Sequence, residues 1–185
     1  MKFDAIVGNP PYQEMDGGNN ASAVPLYQLF MEQAILVEPH YISMIMPARW
    51  YSGGRGLDKF RSEMLNDERL CKMMDFSDSN DCFPGVDIAG GVCYFLWDKS
   101  AHGECKVISV HNGKQSISER KLNEYDTFIR FKEAISIIKK IQLRESKFYS
   151  ERVSSQKPFG LRTYVKPTES GDIKLRYSGG IGPFN

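Results

Sequence analysis

The sequence is poor in the residues and runs that build metal sites, disulfide frameworks or membrane spans. Its four cysteines, Cys71, Cys82, Cys93 and Cys105, include no C-x-x-C pair, and His40, His102 and His111 stand in no ligand-like spacing. Zinc is therefore not expected, and buried free thiols are the reading. No apolar run approaches the roughly 20 residues needed to cross a bilayer. The opening Met1-Lys2-Phe3-Asp4 has none of the basic-then-apolar layout of a secretory leader, so the cytoplasm is the expected location. The loop Gly53-Gly54-Arg55-Gly56 lacks the Gly-Lys-Ser/Thr ending of a phosphate loop. What remains is a composition of 41% hydrophobic and 25% charged residues over 185 positions, enough for one globular domain with a small appendage.

Net charge is also close to absent, at +1, until the chain is divided. Residues 138 to 185 hold ten Lys or Arg against four Asp or Glu, a balance of +6, and the preceding 137 residues hold fourteen against nineteen, a balance of −5. The basic end is interleaved with Phe148, Tyr149, Phe159, Tyr164 and Tyr177. That pattern fits a nucleic-acid contact surface, and fits a solvated basic tail nearly as well.

The residues that carry chemistry lie at the other end. Phe3 to Val7 reads as a short apolar strand that ends at Gly8 and delivers Asn9, Pro10, Pro11 and Tyr12 into a rigid loop. In open α/β sheets, ligands bind beyond the carboxyl ends of the strands. The quartet offers an amide oxygen, a carbonyl fixed between proline rings and a flat aromatic face. Those groups suit the exocyclic amino group of a planar base. A plain proline-rich turn would explain the two prolines and leave Asn9 and Tyr12 without a purpose.

Strand and helix patterns then alternate. Helical spacing runs from Leu26 to Val37, with Leu26, Leu29, Phe30, Ala34 and Val37 on one side. Tyr41 to Met46 reads as a buried strand stopped by Pro47, followed by a helix from about Leu57 to Asn66. Leu70 to Phe76 is a third strand, and a polar loop leads from Ser77 to Phe83-Pro84. Gly91 to Trp97 and Lys106 to Val110 read as paired strands joined through Ser100 to Gly103, and Phe131 to Leu143 as a helix. After Ser146 the chain becomes loop-rich and punctuated by Gly, Pro and Ser. Three strands thus end in three unusual loops, Asn9 to Tyr12, Pro47 to Trp50 and Asp81 to Pro84, which parallel strands would gather on one rim.

In order and spacing, these loops resemble the catalytic half of the adenine-N6 DNA methyltransferases of the gamma group, and the methylase part of type IIG restriction–modification enzymes. The matching pieces are Asn9-Pro10-Pro11-Tyr12, Leu26-Tyr27-Gln28-Leu29-Phe30, Met46-Pro47-Ala48-Arg49-Trp50, Cys82-Phe83-Pro84 and the strand Gly90-Gly91-Val92-Cys93-Tyr94-Phe95. The resemblance implies an α/β fold: half of a doubly wound Rossmann-like methyltransferase sheet with a β-hairpin edge, followed by a loop-rich basic segment. Residues 1–147 would be the carboxyl-terminal half of the catalytic domain, and residues 148–185 the start of a target-recognition segment.

It also implies roles. Asn9 and Pro10 would accept the two amino hydrogens of an adenine flipped out of DNA, and Tyr12 and Phe83 would sandwich its ring. Pro11, Leu26 and Phe30 would flank the adenine of S-adenosylmethionine; plain helix core is an equal reading of the last two. Arg49, Lys157 and Arg162 would contact DNA, or Arg49 would merely brace the rim.

The family's cofactor-holding glycine turn and acidic residue have no match here. The expectation is therefore a truncated, split or fragmentary methyltransferase, inactive alone and binding the cofactor weakly or not at all. Its partners would be DNA and either the missing half or another copy of itself, pairing as a homodimer along the Phe3–Val7 edge. Other readings are a non-catalytic interaction module, or an amino-nitrogen methyltransferase acting on RNA or on protein glutamine.

Overall fold

Apolar alternation in four segments produces parallel strands whose carboxyl ends share one rim. In the computed structural model, which describes residues 3–14, 24–54, 56–144, 175–176 and 183–184, the main elements follow in chain order. They are β1 (Ala5–Gly8), α1 (Tyr27–Leu36), β2 (Tyr41–Pro47), α2 (Asp58–Asn66), β3 (Leu70–Phe76), β4 (Val92–Asp98), β5 (Cys105–His111), β6 (Lys114–Arg120) and α3 (Lys132–Gln142). The six strands form one mixed sheet in the order β1-β2-β4-β3-β5-β6. β1 runs parallel to β2 and β3 parallel to β5, while β4 is antiparallel to both β2 and β3, so β1, β2, β3 and β5 all point the same way. The fold is α/β, and the strand order brings the three expected loops to the same edge.

The chain divides into two compact units, Met1–Lys139 and Lys140–Asn185. In the second, Leu175–Arg176 pairs antiparallel with Pro183–Phe184. Lys157 and Arg162 lie outside the described residues.

Both α1 and α2 join the core on one face of the sheet. Tyr27, Met31 and Ala34 of α1 and Phe60, Met64 and Leu65 of α2 cluster with Ile42, Met44, Met73, Phe95, Trp97 and Val107. The Tyr27 and Phe60 rings meet edge to face at 6.2 Å. On the other face, the register lines up Ile45, Tyr94, Met74, Ile108 and Ile117 across five strands. Tyr94 and Ile117 of this row are exposed. Nearer the rim, the segment after β3 folds back over the same face, and Cys82, Phe83 and Ile88 pack on Phe76, Val92 and Val110.

Three expectations are corrected. The buried side of α1 is Tyr27–Met31–Ala34, while Leu29, Phe30 and Val37 are exposed. The helix is apolar on more than one side, and a second 3–4 spacing was equally available to it. β4 and β5 do not pair with each other: β4 lies between β2 and β3, and β5 pairs with β3. The edge hairpin is instead β5–β6, closed by Asn112 and Gly113 at φ 50° and 71°. Such a turn needs positive φ at both positions, which Asn-Gly supplies. The strand missed in the sequence, β6, is largely polar, because its segment Gln115-Ser116-Ile117-Ser118-Glu119 carries a single apolar residue. Finally, of the thiols read as buried, Cys93 and Cys105 are, whereas Cys71 and Cys82 are half-buried.

At the opposite rim, Asp67 closes α2 and ties it to the sheet. Its carboxylate accepts from Arg69 Nε at 2.7 Å, Arg69 Nη2 at 2.8 Å and Trp97 Nε1 at 2.9 Å. Burial pushes this carboxyl up, but the Arg69 and Trp97 hydrogen bonds together outweigh it and hold the group below its ordinary value. A carboxyl held low in the folded chain stabilises it above the unfolded pKa, and that stability is lost as pH falls through the folded value. Charge-assisted hydrogen bonds of this kind contribute about 1.5 kcal/mol. Asp67→Asn should therefore lower stability by about that much at neutral pH and flatten its fall as the pH drops below the ordinary carboxylate range. Denaturant titrations followed by Trp97 emission would show it; an unchanged acid limb would remove the assignment.

Candidate active site

The first loop is fixed at both ends. Pro10 is buried against the rim, leaving Asn9 and Pro11 exposed on either side of it, and Tyr12 is half-buried. Beyond it, Gln13–Glu14 pairs with Val24–Pro25, and the Leu26 N–H donates to the Tyr12 carbonyl at 3.2 Å. That bond brings the start of α1 against the loop. Leu26 is half-buried there, and Phe30, one turn further along, is 47% exposed. A phenylalanine left so open at this point is not helix core.

Burial raises the Tyr12 phenol pKa above its ordinary value, and the Cys82 and Cys93 thiols raise it further. Phe83 itself is half-buried, one side on the Phe76–Val92–Val110 cluster.

The loop that carries Phe83 is built around Ser79, a residue the sequence offered only as one polar member among several. Ser79 is buried; its Oγ donates to the Val86 carbonyl at 2.7 Å and accepts from the Ile88 N–H at 2.8 Å. Its carbonyl accepts from the Phe83 N–H at 2.7 Å. Asp78 accepts from the Asn80 N–H at 2.9 Å, which starts the turn. With the Cys82 N–H also donating to its carbonyl at 3.0 Å, Ser79 satisfies four backbone groups and ties together the loop that carries Phe83.

The second loop meets the third at Gly91. The Ala48 N–H donates to the Gly91 carbonyl at 3.0 Å, and the Gly91 N–H to Ile88 at 2.8 Å. Gly91 has φ +79°, and a Cβ placed on it would lie 2.0 Å from the Phe76 carbonyl oxygen. Only glycine fits there. Arg49 is exposed on the same rim, with its Cγ 3.7 Å from where a Gly90 Cβ would stand.

A buried ion pair behind the rim was not read from the sequence. Asp75, fully enclosed in β3, receives Arg130 Nη2 at 2.7 Å and Nε at 3.1 and 3.2 Å. Burial pushes the Asp75 carboxyl up, and Arg130 partly offsets the shift. The available signal was a single carboxylate inside an otherwise apolar strand end, Met73-Met74-Asp75-Phe76. The structure thus gathers Asn9, Pro10, Pro11, Tyr12, Leu26, Arg49 and the Cys82–Phe83 loop on one rim, with Phe30 a turn behind.

The rim thus presents a proline-locked amide and an aromatic side chain at the ends of parallel strands. Residues 1–83 match the model of the Eco57I restriction-modification methylase family. The chain is 35% identical over 134 residues to an uncharacterised adenine-specific methylase of Mycoplasma pneumoniae, a match covering 70% of this chain and 31% of that protein. It therefore spans about a third of the length of the curated relative it matches. Among solved structures it is similar to the type IIG restriction endonuclease BpuSI, at 14% identity and TM-score 0.48, over 65% of this chain and 19% of the other. A methyltransferase subunit of the type I restriction-modification system of Streptococcus thermophilus gives 14% identity and TM-score 0.37, over 78% and 32% of the two chains.

Proposed function

We propose that this chain forms the base-binding rim of a DNA adenine-N6 methyltransferase, one belonging to a restriction–modification system. The observation that carries the reading is the Asn9–Tyr12 loop: an exposed amide oxygen beside a carbonyl locked by two prolines, on the rim shared with the Cys82–Phe83 loop. Adenine is favoured over glutamine or an RNA base because the Mycoplasma relative is named adenine-specific.

Asn9 Oδ1 and the Pro10 carbonyl accept the two hydrogens of the target amino group, drawing its lone pair out of the ring. Tyr12 and Phe83 stack on the extruded base, an interaction worth ~1–3 kcal/mol per base against the cost of flipping. S-adenosylmethionine, when bound, supplies the methyl group. Exposed Pro11 and Phe30, with Leu26 between them and the core, suit the flat adenine of that cofactor. They form one apolar wall and supply no anchor for the cofactor's charged amino-acid end. The test is base analysis of DNA incubated with labelled cofactor and the assembled methylase. Label in N6-methyladenine is the expected result, and label confined to cytosine or protein would overturn the reading.

Two outcomes follow for the chain by itself. Calorimetry should find cofactor binding weaker than micromolar, because one wall is too little; micromolar affinity would contradict this. Among the described residues β1 pairs only with β2, so its other edge is an open template for a further strand. Alone at tens of micromolar, the chain should scatter light as a dimer closed about a two-fold axis, and a persistent monomer would count against it.

A further inference from the structure

Behind the second loop lies a cavity of about 440 Å³ whose lining includes Ala48, Arg49, Ser52, Ala89, Thr127 and Arg130. Among the described residues, no carboxylate lines it. The Arg130 charge is answered by Asp75 through Nε and Nη2, which leaves Nη1 as a donor outside that contact. Among the described residues, no carboxylate pairs with Arg49. The cleft therefore has one uncompensated positive charge, two hydroxyls, a spare guanidinium N–H and a small apolar floor.

Its walls are rigid. The Phe128 N–H donates to the Tyr51 carbonyl at 3.2 Å, and the two rings lie 4.5 Å apart. Ser109 Oγ donates to the Arg130 carbonyl at 3.0 Å. One wall, Ala89 and Gly90, belongs to the same rigid loop that carries Phe83. A group bound here is thus held in fixed register with the base-stacking residues.

A single positive charge with neutral donors matches the single negative charge of a phosphodiester better than a dianion. We propose that this cleft binds a backbone phosphate of the target DNA, seating the strand so that one base falls at Tyr12 and Phe83. The proposal rests on the DNA-methylase reading and extends it: phosphate contacts set position while base contacts set identity.

Anisotropy of a labelled DNA duplex, titrated with the chain across a salt series, tests it. Each phosphate contact contributes about 0.9 to the slope of log affinity against log salt. Arg49→Gln should lower the slope by about that amount, so that a fourfold rise in salt costs ~3.5-fold less affinity than in the parent chain. Arg49→Lys should keep the slope. Ala89→Glu, which puts a carboxylate on the exposed wall, should weaken binding severalfold with Arg49 intact. Unchanged melting curves would show that all three variants fold.

An unchanged slope for Arg49→Gln, parent-like binding by Ala89→Glu, or no DNA binding by the chain would each overturn the proposal. If the slope is unchanged while the assembled enzyme still makes N6-methyladenine, the cleft assignment fails alone. If the slope falls but no N6-methyladenine forms, the phosphate site stands and the methylase reading fails.

Discussion

Asn9→Ala should reduce methyl transfer by the assembled methylase about 10²–10³-fold or more, the effect of deleting one preorganised polar group at a reacting centre. The amino nitrogen of adenine is a poor nucleophile because its lone pair is delocalised into the ring. Two acceptors in the ring plane lengthen the N–H bonds and return density to nitrogen as the methyl group approaches. Their hydrogen bonds strengthen as the nitrogen becomes positive, so they favour the transition state over the ground state.

In the proposed site Pro10 would contribute a backbone carbonyl that no side-chain change removes, which leaves Asn9 as the half open to mutation. Asn9 is exposed and the fold does not lean on it, so the melting temperature should move little. Cofactor affinity should also hold, since Pro11, Leu26 and Phe30 are untouched. Asn9→Asp retains an acceptor and should retain measurable turnover. Labelled methyl incorporation into duplex DNA measures the effect. Near-normal turnover in Asn9→Ala would remove the acceptor role altogether.

The rim was legible in the sequence because its loops are written in residues with few conformational options. Pro10, Pro11 and Pro47 end strands, and Gly91 accepts a backbone that other residues resist. β2 and β3 were legible because burial on a helix-covered face imposes period-two patterning. Strand order was not, since the insertion of β4 between β2 and β3 depends on contacts far apart in sequence. β6 escaped because an edge strand with mostly polar residues leaves no hydrophobic signal, although Asn112-Gly113 announced its turn. The α1 face failed for the opposite reason: too many apolar residues, so that two helical stripes fit and only packing against Phe60 selects one. Asp75 and Arg130 lie 55 positions apart in sequence, and no local pattern joins them.

Gly91→Ala should be the most damaging single-methyl change in the first unit. Two costs combine. A positive φ of 79° disfavours any Cβ, and the added Cβ would fall 2.0 Å from the Phe76 oxygen and 2.9 Å from the Ser77 oxygen, both backbone atoms that cannot swing aside. Gly90 is the internal control. Its φ is +91°, but a Cβ there meets only the Arg49 Cγ, at an ordinary 3.7 Å. Gly90→Ala should therefore cost the conformational strain alone, about 1–2 kcal/mol.

Gly91→Ala adds displacement of β3's last residue or of the loop, for roughly 3 kcal/mol or more in total. That corresponds to a fall in melting temperature of about 6–12 °C for a chain of this size. The displacement also reaches the site: Gly91 accepts from the Ala48 N–H, so moving it shifts the Arg49 loop and the Phe83 loop together. Gly91→Ala should consequently lose DNA affinity and methyl transfer even well below its melting point, and lose far more of both than Gly90→Ala. Paired thermal melts and DNA titrations decide it. Two variants melting within a degree of each other would show that the close approach at Phe76 does not hold these two loops together.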